Sequence, residues 1–538
     1  MAKTPHLSPL PLSQGRGESP RSRYLLPSAK AFAAASRDHR ATKFVIVIGL
    51  LAVAARLIFI NQPYVDHWSW RQSDVAAIAR NFLQNGFRFG YPQIDWAGNT
   101  AGYVGTEFPI LPFVAAICYK FAGVHEWIGR IQAVILFAVS LPFFFLLVRE
   151  SFGSTAAIWA SFFYCFTPLN VFAGRSFMPD VPSLSFAIVG LYFFLRRLQH
   201  GESSSFFVAS IAISLSLLIK ITSIVILAPL MYLAVAEGGG LGSGGRSEAE
   251  GDRGQRPRLQ LILFAAIALA PSAIWYWHAH RIAQQYYPHH FFGAGGIRIE
   301  SFSWYWHIAQ QTFASSLTPL LSVMALVGLF VRQSRDRRYS RLFHWWLAAV
   351  IVFIVVVGYG NRHRWYQLPL VPIAAGLAGA ACAFVVSKIS SRLIAVTLSV
   401  MLVSSFTTLA FWCVQPFYQS SAAQLRDAGL ELKKVGPPDA LIVAADMGDP
   451  TIFYYAQRKG WHFPESEAIY NGTPDDSEQA IENLERLRRG GATHFVFTKN
   501  TFWWLQSYPE FVAYLTNNAK VIESTPEFRI YELITVAR

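Results

Sequence analysis

Residues 44–60 read FVIVIGLLAVAARLIFI, and residues 66–74 read DHWSWRQSD. The first stretch carries one charge, Arg56, and approaches the roughly 20 apolar residues that cross a bilayer as a helix. The second is polar and rich in tryptophan, a residue whose ring suits the membrane–water interface. An apolar span that delivers Asp66, Trp68, Trp70, Arg71 and Asp74 to the membrane surface frames the rest of the chain.

The whole sequence agrees with a membrane reading. Of 538 residues 53% are hydrophobic, 15% aromatic and only 14% charged, against about 25% charged in a soluble protein. The net charge of +14 sits in short basic clusters between apolar runs. That pattern marks loops held against an anionic leaflet, not a nucleic-acid surface. Cys118, Cys165, Cys382 and Cys413 all lie in apolar segments without CxxC spacing, so neither a zinc site nor a disulfide framework is expected. No cofactor is expected either; a divalent metal stays open.

Candidate spans are 44–60, 128–148, 154–173, 181–196, 205–219, 221–236, 259–279, 316–331, 342–358, 366–386 and 392–413. The run 108–122 is short and carries Lys120, and reads as an interfacial helix. Leaving it out places Arg149, Arg196, Arg197, the clusters Arg246–Arg258 and Arg332–Arg341, Lys388 and Arg392 on one side. Lys30, Arg37, Arg40 and Lys43 join them. The excess of basic residues marks that side as cytoplasmic. The expectation is a polytopic α-helical membrane protein of about 11 spans (12 or 13 if short runs are counted), in the inner, plasma membrane. Its N-terminus is then inside and its C-terminus outside.

Residues 1–43 read as a disordered cytoplasmic tail without a signal-peptide core. Residues 44–414 form the membrane domain, with outer loops at 61–127 and 280–315 and a Gly/Ser/Arg-rich inner linker at 237–258. From 415 to 538 the composition changes. Helix patterns at 424–435, 477–489 and 509–518 alternate with strand patterns at 440–445, 493–498 and 528–534. That order suggests a small extracytoplasmic α/β domain.

Four places combine chemistry with outward sidedness. Asp66 and Asp74, on one predicted helix, would share a face; two solvated loop aspartates are the plainer reading. Asp180, between Pro179 and Pro182, begins a span, where an acid also simply favours a helix N-terminus. Lys220 interrupts an apolar stretch, and a charge there is either functional or snorkelling to the interface. Arg56 invites the same two readings. His363 and Arg364 stand in the NRHRWYQLP stretch of residues 361–369, where an Arg fork suits phosphate.

In this order the motifs resemble the GT-C glycosyltransferases of the dolichyl-phosphate-mannose–protein mannosyltransferase superfamily, which includes family 39 and the aminoarabinose transferases. The residues that carry the likeness are Glu107-Phe108-Pro109, Met178-Pro179-Asp180, Lys220 and Tyr366-Gln367-Leu368-Pro369, across about 44–390. The resemblance implies inverting transfer of a sugar from a polyprenyl-phosphate donor to a protein, lipid or glycan on the outer face. It implies a first-loop acid as base, here Asp74 or Asp66, assisted by Asp180. It also implies a donor phosphate held by Lys220, Arg364, His363 and Arg56. Glu107, Trp70 and Arg71 would contact acceptor or substrate. Many relatives carry Asp-Glu where Arg71-Gln72 align, so either the acid has moved, to Asp74 or Asp66, or the alignment is shifted. The rival reading is a transporter or lipid flippase, which needs ionisable groups deep in several spans; most charges here lie at span ends.

Overall fold

A computed structural model describes residues 29–238, 255–291, 297–333, 337–466 and 469–534. Most of the expected tail, and 239–254 of the inner linker, lie outside these residues.

The membrane part is helical throughout. The helices are α1 (Ala29–Leu57), α2 (Ser69–Gln84), α3 (Ile110–Ala122), α4 (Glu126–Phe152), α5 (Ser154–Phe166), α6 (Pro168–Ala173) and α7 (Asp180–His200). They continue as α8 (Ser203–Ile219), α9 (Leu227–Gly238), α10 (Gln255–Gln285), α11 (Phe302–Gln311), α12 (Pro319–Phe330), α13 (Leu342–Val357), α14 (Leu370–Lys388) and α15 (Arg392–Val414). The first helix begins at Ala29, so residues 29–43 are helical and not an irregular tail. Their alanines favour that state.

Each apolar run of the sequence is helical over most of its length, but not all are long. Among the described residues six helices are long and apolar enough to cross a membrane. A seventh counts if the pair 302–316 and 319–330, bent by 109°, is one broken span. The shortfall from eleven has local causes. Pro168 follows the break between α5 and α6, and an interior proline removes a helical hydrogen bond. Lys220 (φ −156°) is extended and ends α8, with a short 3-10 turn, Ile221–Ile226, before α9.

The helices α7 and α8 form an antiparallel hairpin through Gly201, whose φ of +72° favours glycine. They approach closely at Gly190, where a Cβ would lie 2.6 Å from Ile213 Cδ1. Asp180 and Lys220 thereby meet at one end of the pair, with Arg196 and Arg197 at the other, about 25 Å away along α7. The basic end also gathers later segments. Arg197 donates to Gln260 Oε1 at 3.0 Å, Arg337 donates to Arg149 O at 3.4 Å, and Arg338 pairs with Glu237 at 2.8 Å.

Beyond α15 the chain forms α16 (Ala423–Val435), α17 (Thr451–Ala456), α18 (Ser477–Arg489), α19 (Trp504–Ser507) and α20 (Pro509–Asn518). Between them lie β1 (Leu441–Ala445), β2 (Lys459–His462), β3 (Glu465–Ser466), β4 (Ile469–Tyr470), β5 (His494–Thr498), β6 (Ala519–Ser524) and β7 (Phe528–Leu533). Five strands make one sheet in the order β2-β1-β5-β7-β6; β3 and β4 pair separately. β1 is parallel to β2 and β5, while β7 is antiparallel to β5 and β6. Alternation along the strands splits the packing. Val443, Phe495 and Tyr531 pack with Trp504 and Phe511. Ile442, Ala444, Val496 and Ile530 pack with Leu425, Leu432 and the first-loop residues Ile78, Phe82, Ile94 and Trp96. The first outer loop also covers the edge of the sheet. Gly98 N donates to Gly460 O at 2.7 Å and Gly460 N to Asp95 O at 3.0 Å, blunting an edge that would otherwise be open.

Candidate functional site

The site begins with how α2 is held. Asp66 precedes this helix, so it does not share a helical face with Asp74 as the sequence reading had it. Its Oδ1 accepts from Trp68 N at 3.2 Å and Gln72 Nε2 at 2.7 Å. Its Oδ2 accepts from Arg130 of α4 at 3.2 Å and from Arg175 at 3.0 Å. Gln72 Oε1 in turn accepts from Phe177 N at 3.3 Å. The buried carboxylate thus ties the start of α2 to α4 and to the 174–180 turn. That tie brings the turn, and Asp180 after it, beside α2.

Asp180 and Lys220 form a buried ion pair. Lys220 Nζ also lies 4.8 Å from the centroid of the Tyr366 ring. The second carboxylate oxygen, Asp180 Oδ2, is buried without a hydrogen-bond partner. The pair stands beside a pocket whose polar lining includes Thr222, Ser223 and Tyr366. Its apolar lining, Leu184, Ala187, Val225 and Ile226, comes from the spans. The pocket is small, about 410 Å³ even with the space open to solvent counted, and joins a charged part to an apolar one.

Arg71 joins the acids. It donates to Glu107 Oε1 at 2.6 Å and lies 3.9 Å from Asp74 Oδ2, and it feels the charge of Asp180 as well. Glu107 Oε2 accepts from Thr106 Oγ1 at 2.9 Å. Burial pushes the Glu107 carboxyl up, but Arg71 and then Lys220 outweigh it and hold it below the usual range. Asp74 accepts from Trp96 Nε1 at 3.0 Å. Burial raises its pKa to about 6, with Arg71 and Trp96 opposing the rise. Trp70 packs against His363 and Trp365, with ring centroids 5.6 and 5.8 Å away, and His363 stacks on Trp365 at 4.3 Å. These rings form an aromatic wall next to the ion pair, and Trp365 lines the pocket.

Two expected phosphate ligands stand elsewhere. Arg56 is fully buried and donates to the carbonyls of Ala52, Cys165 and Asn170 at 3.0–3.1 Å, with its guanidinium over the Phe137 ring. It braces α1 against α5 and α6. Arg364 turns away from the pocket lined by its neighbours Trp365 and Tyr366, and its guanidinium lies 4.9 Å from the Phe417 centroid. Consecutive residues of a tight 3-10 turn point in different directions. Among the described residues no three His, Cys, Asp or Glu side chains are placed to hold a metal ion.

Other contributors come from the C-terminal sheet. Ser69 donates to Asp449 Oδ2 at 2.7 Å, and the Ser73 and Thr451 hydroxyls are 3.1 Å apart. Trp96 packs against His290 and His462, with centroids 5.3 and 5.2 Å away. His462 Nδ1 is 2.8 Å from Asp446. Burial raises the Asp446 pKa against the opposing effect of His462. None of these stood out in the sequence. The available signal was positional: Asp446 and Asp449 follow directly on an apolar strand, and the C-terminal ends of parallel strands commonly carry sites.

Comparison with known proteins places this geometry. Residues 106–277, which include Glu107, Asp180 and Lys220, match the family model "Dolichyl-phosphate-mannose-protein mannosyltransferase". A putative mannosyltransferase of Bacillus subtilis, YkcB, is 22% identical over 178 residues, 31% of this chain. The match spans only 24% of that relative's length. ArnT from Cupriavidus metallidurans bound to undecaprenyl phosphate superposes with a TM-score of 0.61 at 15% identity, covering 91% of this chain and 98% of that one. The Archaeoglobus fulgidus oligosaccharyltransferase in its apo form superposes with a TM-score of 0.60 at 13% identity, covering 92% and 74%. AglB from the same organism, in complex with an inhibitory peptide and a dolichol-phosphate, gives 0.56 at 13% identity over the same shares. The chain shares the fold of these structures.

Proposed function

We propose that this GT-C-fold membrane protein is a glycosyltransferase that moves a sugar from a polyprenyl-phosphate carrier to an acceptor at the outer membrane surface. The observation that carries the reading is the buried Asp180–Lys220 pair beside a pocket polar at one part and apolar along the spans. A lipid phosphate matches the lysine in charge, and the apolar residues beside it lie toward the spans, where an isoprenoid chain would run in the bilayer. The segregation of basic residues at the far end of the bundle supports a site that faces outward.

In the proposed step the acceptor hydroxyl oxygen attacks the anomeric carbon. The bond from that carbon to the phosphate oxygen breaks, and polyprenyl phosphate leaves with the electron pair. Lys220 stabilises the leaving phosphate as its charge grows, with His363 at the edge of the same region. Asp74 takes the acceptor proton. Its pKa of about 6 leaves it ionised at neutral pH yet closer to that pH than an ordinary aspartate, which favours a general base. Asp180 holds Lys220 and uses its free Oδ2 to orient the acceptor. Arg71 and Glu107 set the charge around both acids, and Trp70 offers a ring on which a sugar face can pack. Asp66, Arg56 and Arg364 have positioning roles.

The test is transfer from a polyprenyl-phosphate sugar by the purified protein in detergent, where transport across a membrane is impossible. Turnover that disappears in Asp180→Asn and Lys220→Met supports the reading. A protein that yields no glycosylated product with any polyprenyl-phosphate sugar, yet moves such a lipid between leaflets of a vesicle, would be the flippase instead.

A further inference from the structure

The C-terminal sheet reaches the proposed base through one histidine. β1 and β2 run parallel, with Ala444 opposite His462 in the register. Along a strand every second side chain returns to the same face. Ile442 and Ala444 pack toward the first outer loop. Asp446, the residue after β1, and His462, the last of β2, therefore emerge on that face at the C-terminal ends of neighbouring strands. They meet there: His462 Nδ1 lies 2.9 Å from Asp446 Oδ1 and 2.8 Å from Oδ2. Asp446 Oδ1 also accepts from Gly448 N at 3.0 Å, which fixes the carboxylate. A carboxylate accepts, so His462 Nδ1 carries the hydrogen. Both side chains are buried.

Two aromatic contacts hold the imidazole. Phe453 of α17 meets it edge-on at 5.3 Å between centroids, and the Trp96 indole lies at 5.2 Å. Trp96 Nε1 donates to Asp74 Oδ1 at 3.0 Å. A chain of contacts thus runs from Asp446 through His462 and Trp96 to Asp74. Docking the domain onto the loop does not by itself call for a buried acid and histidine, since apolar side chains of similar volume hold an interface at least as well. The other charged groups around Asp74 are Arg71 on its own helix, which also binds Glu107, and Asp95, which pairs with Arg80. His290 packs on Trp96 at 5.3 Å. Burial raises the Asp74 pKa; Arg71, Trp96 and His462 oppose the rise in that order, and Asp95 adds to it.

On the reading of Asp74 as the base, we infer that His462, oriented by Asp446, is a positioning residue for transfer. It seats the Trp96 indole so that the Nε1 hydrogen meets the Asp74 carboxylate. The C-terminal domain is then part of the transfer site, and the membrane domain alone holds an incomplete one.

The test reads Asp74 directly, in the full-length protein in detergent with tryptophan isotopically labelled at nitrogen. The indole N–H signal missing from Trp96→Phe belongs to Trp96, and it should shift with pH at a midpoint of about 6. Asp74→Asn should abolish that shift. His462→Phe keeps a ring but loses the tie to Asp446, and should raise the midpoint by up to about one unit. Asp446→Ala releases the imidazole and should raise it too. Asp446→Asn keeps an acceptor for Nδ1–H and should restore the wild-type midpoint. Charge alone has a different signature: both Asp446 variants remove a negative charge, so both would lower the midpoint. Asp446→Asn behaving like Asp446→Ala, an unmoved midpoint in a folded His462→Phe, or a shift that persists in Asp74→Asn overturns the assignment of His462. The acid limb of sugar transfer should follow the indole midpoint through the series. A limb that stays in place while the midpoint moves overturns Asp74 as the base and leaves the seating of Trp96 intact.

Discussion

Two buried acid–base clusters lie near the start of α2 and at the start of α7, and they differ in what is left over. Around Asp66 both carboxylate oxygens are occupied, by Trp68, Gln72, Arg130 and Arg175. Around Asp180 one oxygen is paired with Lys220 and the other is buried with no partner. A fully satisfied cluster holds geometry, because any change leaves a charge stranded. A cluster with a vacant acceptor beside a pocket is a place for a substrate, since an unmade buried hydrogen bond costs about 1–3 kcal/mol until something makes it. Sequence alone offers Asp66 and Asp180 alike as acids at the outer surface; their partners separate them.

The largest effect should fall on transfer at the unsatisfied cluster. Asp180→Asn and Lys220→Met should each lower turnover by about 100-fold or more. Circular dichroism and elution in detergent should stay unchanged. Near-normal turnover in both would remove the pair from the chemistry.

At the satisfied cluster the expected loss is in stability. Asp66→Asn strands the Arg130 and Arg175 guanidiniums and should cost about 3–5 kcal/mol, read as a lower thermal midpoint. A variant that unfolds at the wild-type temperature but has lost transfer would instead make Asp66 the base.

The acid limb of the rate profile tests Asp74. Its pKa is raised to about 6, so the ionised, base-competent form is lost as pH falls through about 6. Transfer should rise with pH through that value and level off above it. Trp96→Phe removes a hydrogen bond that favours the ionised form, so the limb should move to higher pH, by about one unit or less. An unmoved limb would assign it to another group.

The smallest effect is expected at Arg364. Its guanidinium faces Phe417 and not the pocket, so Arg364→Gln should leave the KM for the donor within about twofold, little more than a surface contact is worth. A tenfold rise would put the phosphate on that side of Trp365.

Much of the architecture was legible in advance, for a local reason. Apolar runs near the length of a bilayer must be helical, because lipid offers no partner to an unpaired backbone group. The apolar segments at 441–445, 494–498 and 528–533 are strands in the structure. The Lys220 break was visible as a charge inside an apolar run. Less visible was that α5–α6 is interrupted, because a proline shortens a helix without changing the apolar composition around it. The outer loop was also opaque: its helix is buried almost all round, between α3 on one face and the C-terminal domain on another, and no periodicity reports a partner from elsewhere in the chain.

By itself, then, the sequence determined a many-helix membrane protein, with basic residues biased to one side and chemistry-bearing residues grouped near span ends. Hydropathy and charge are local, and the bilayer acts on each segment separately. Only the tertiary structure decided that Asp180 meets Lys220, that Asp66 is consumed by two arginines while Asp74 is held by Trp96, and that Arg56 and Arg364 point elsewhere. Those outcomes depend on which side chains share one small, dry volume. That is set by helix packing across long separations, 109 residues between Asp66 and Arg175 and 114 between Arg56 and Asn170, which no local pattern encodes.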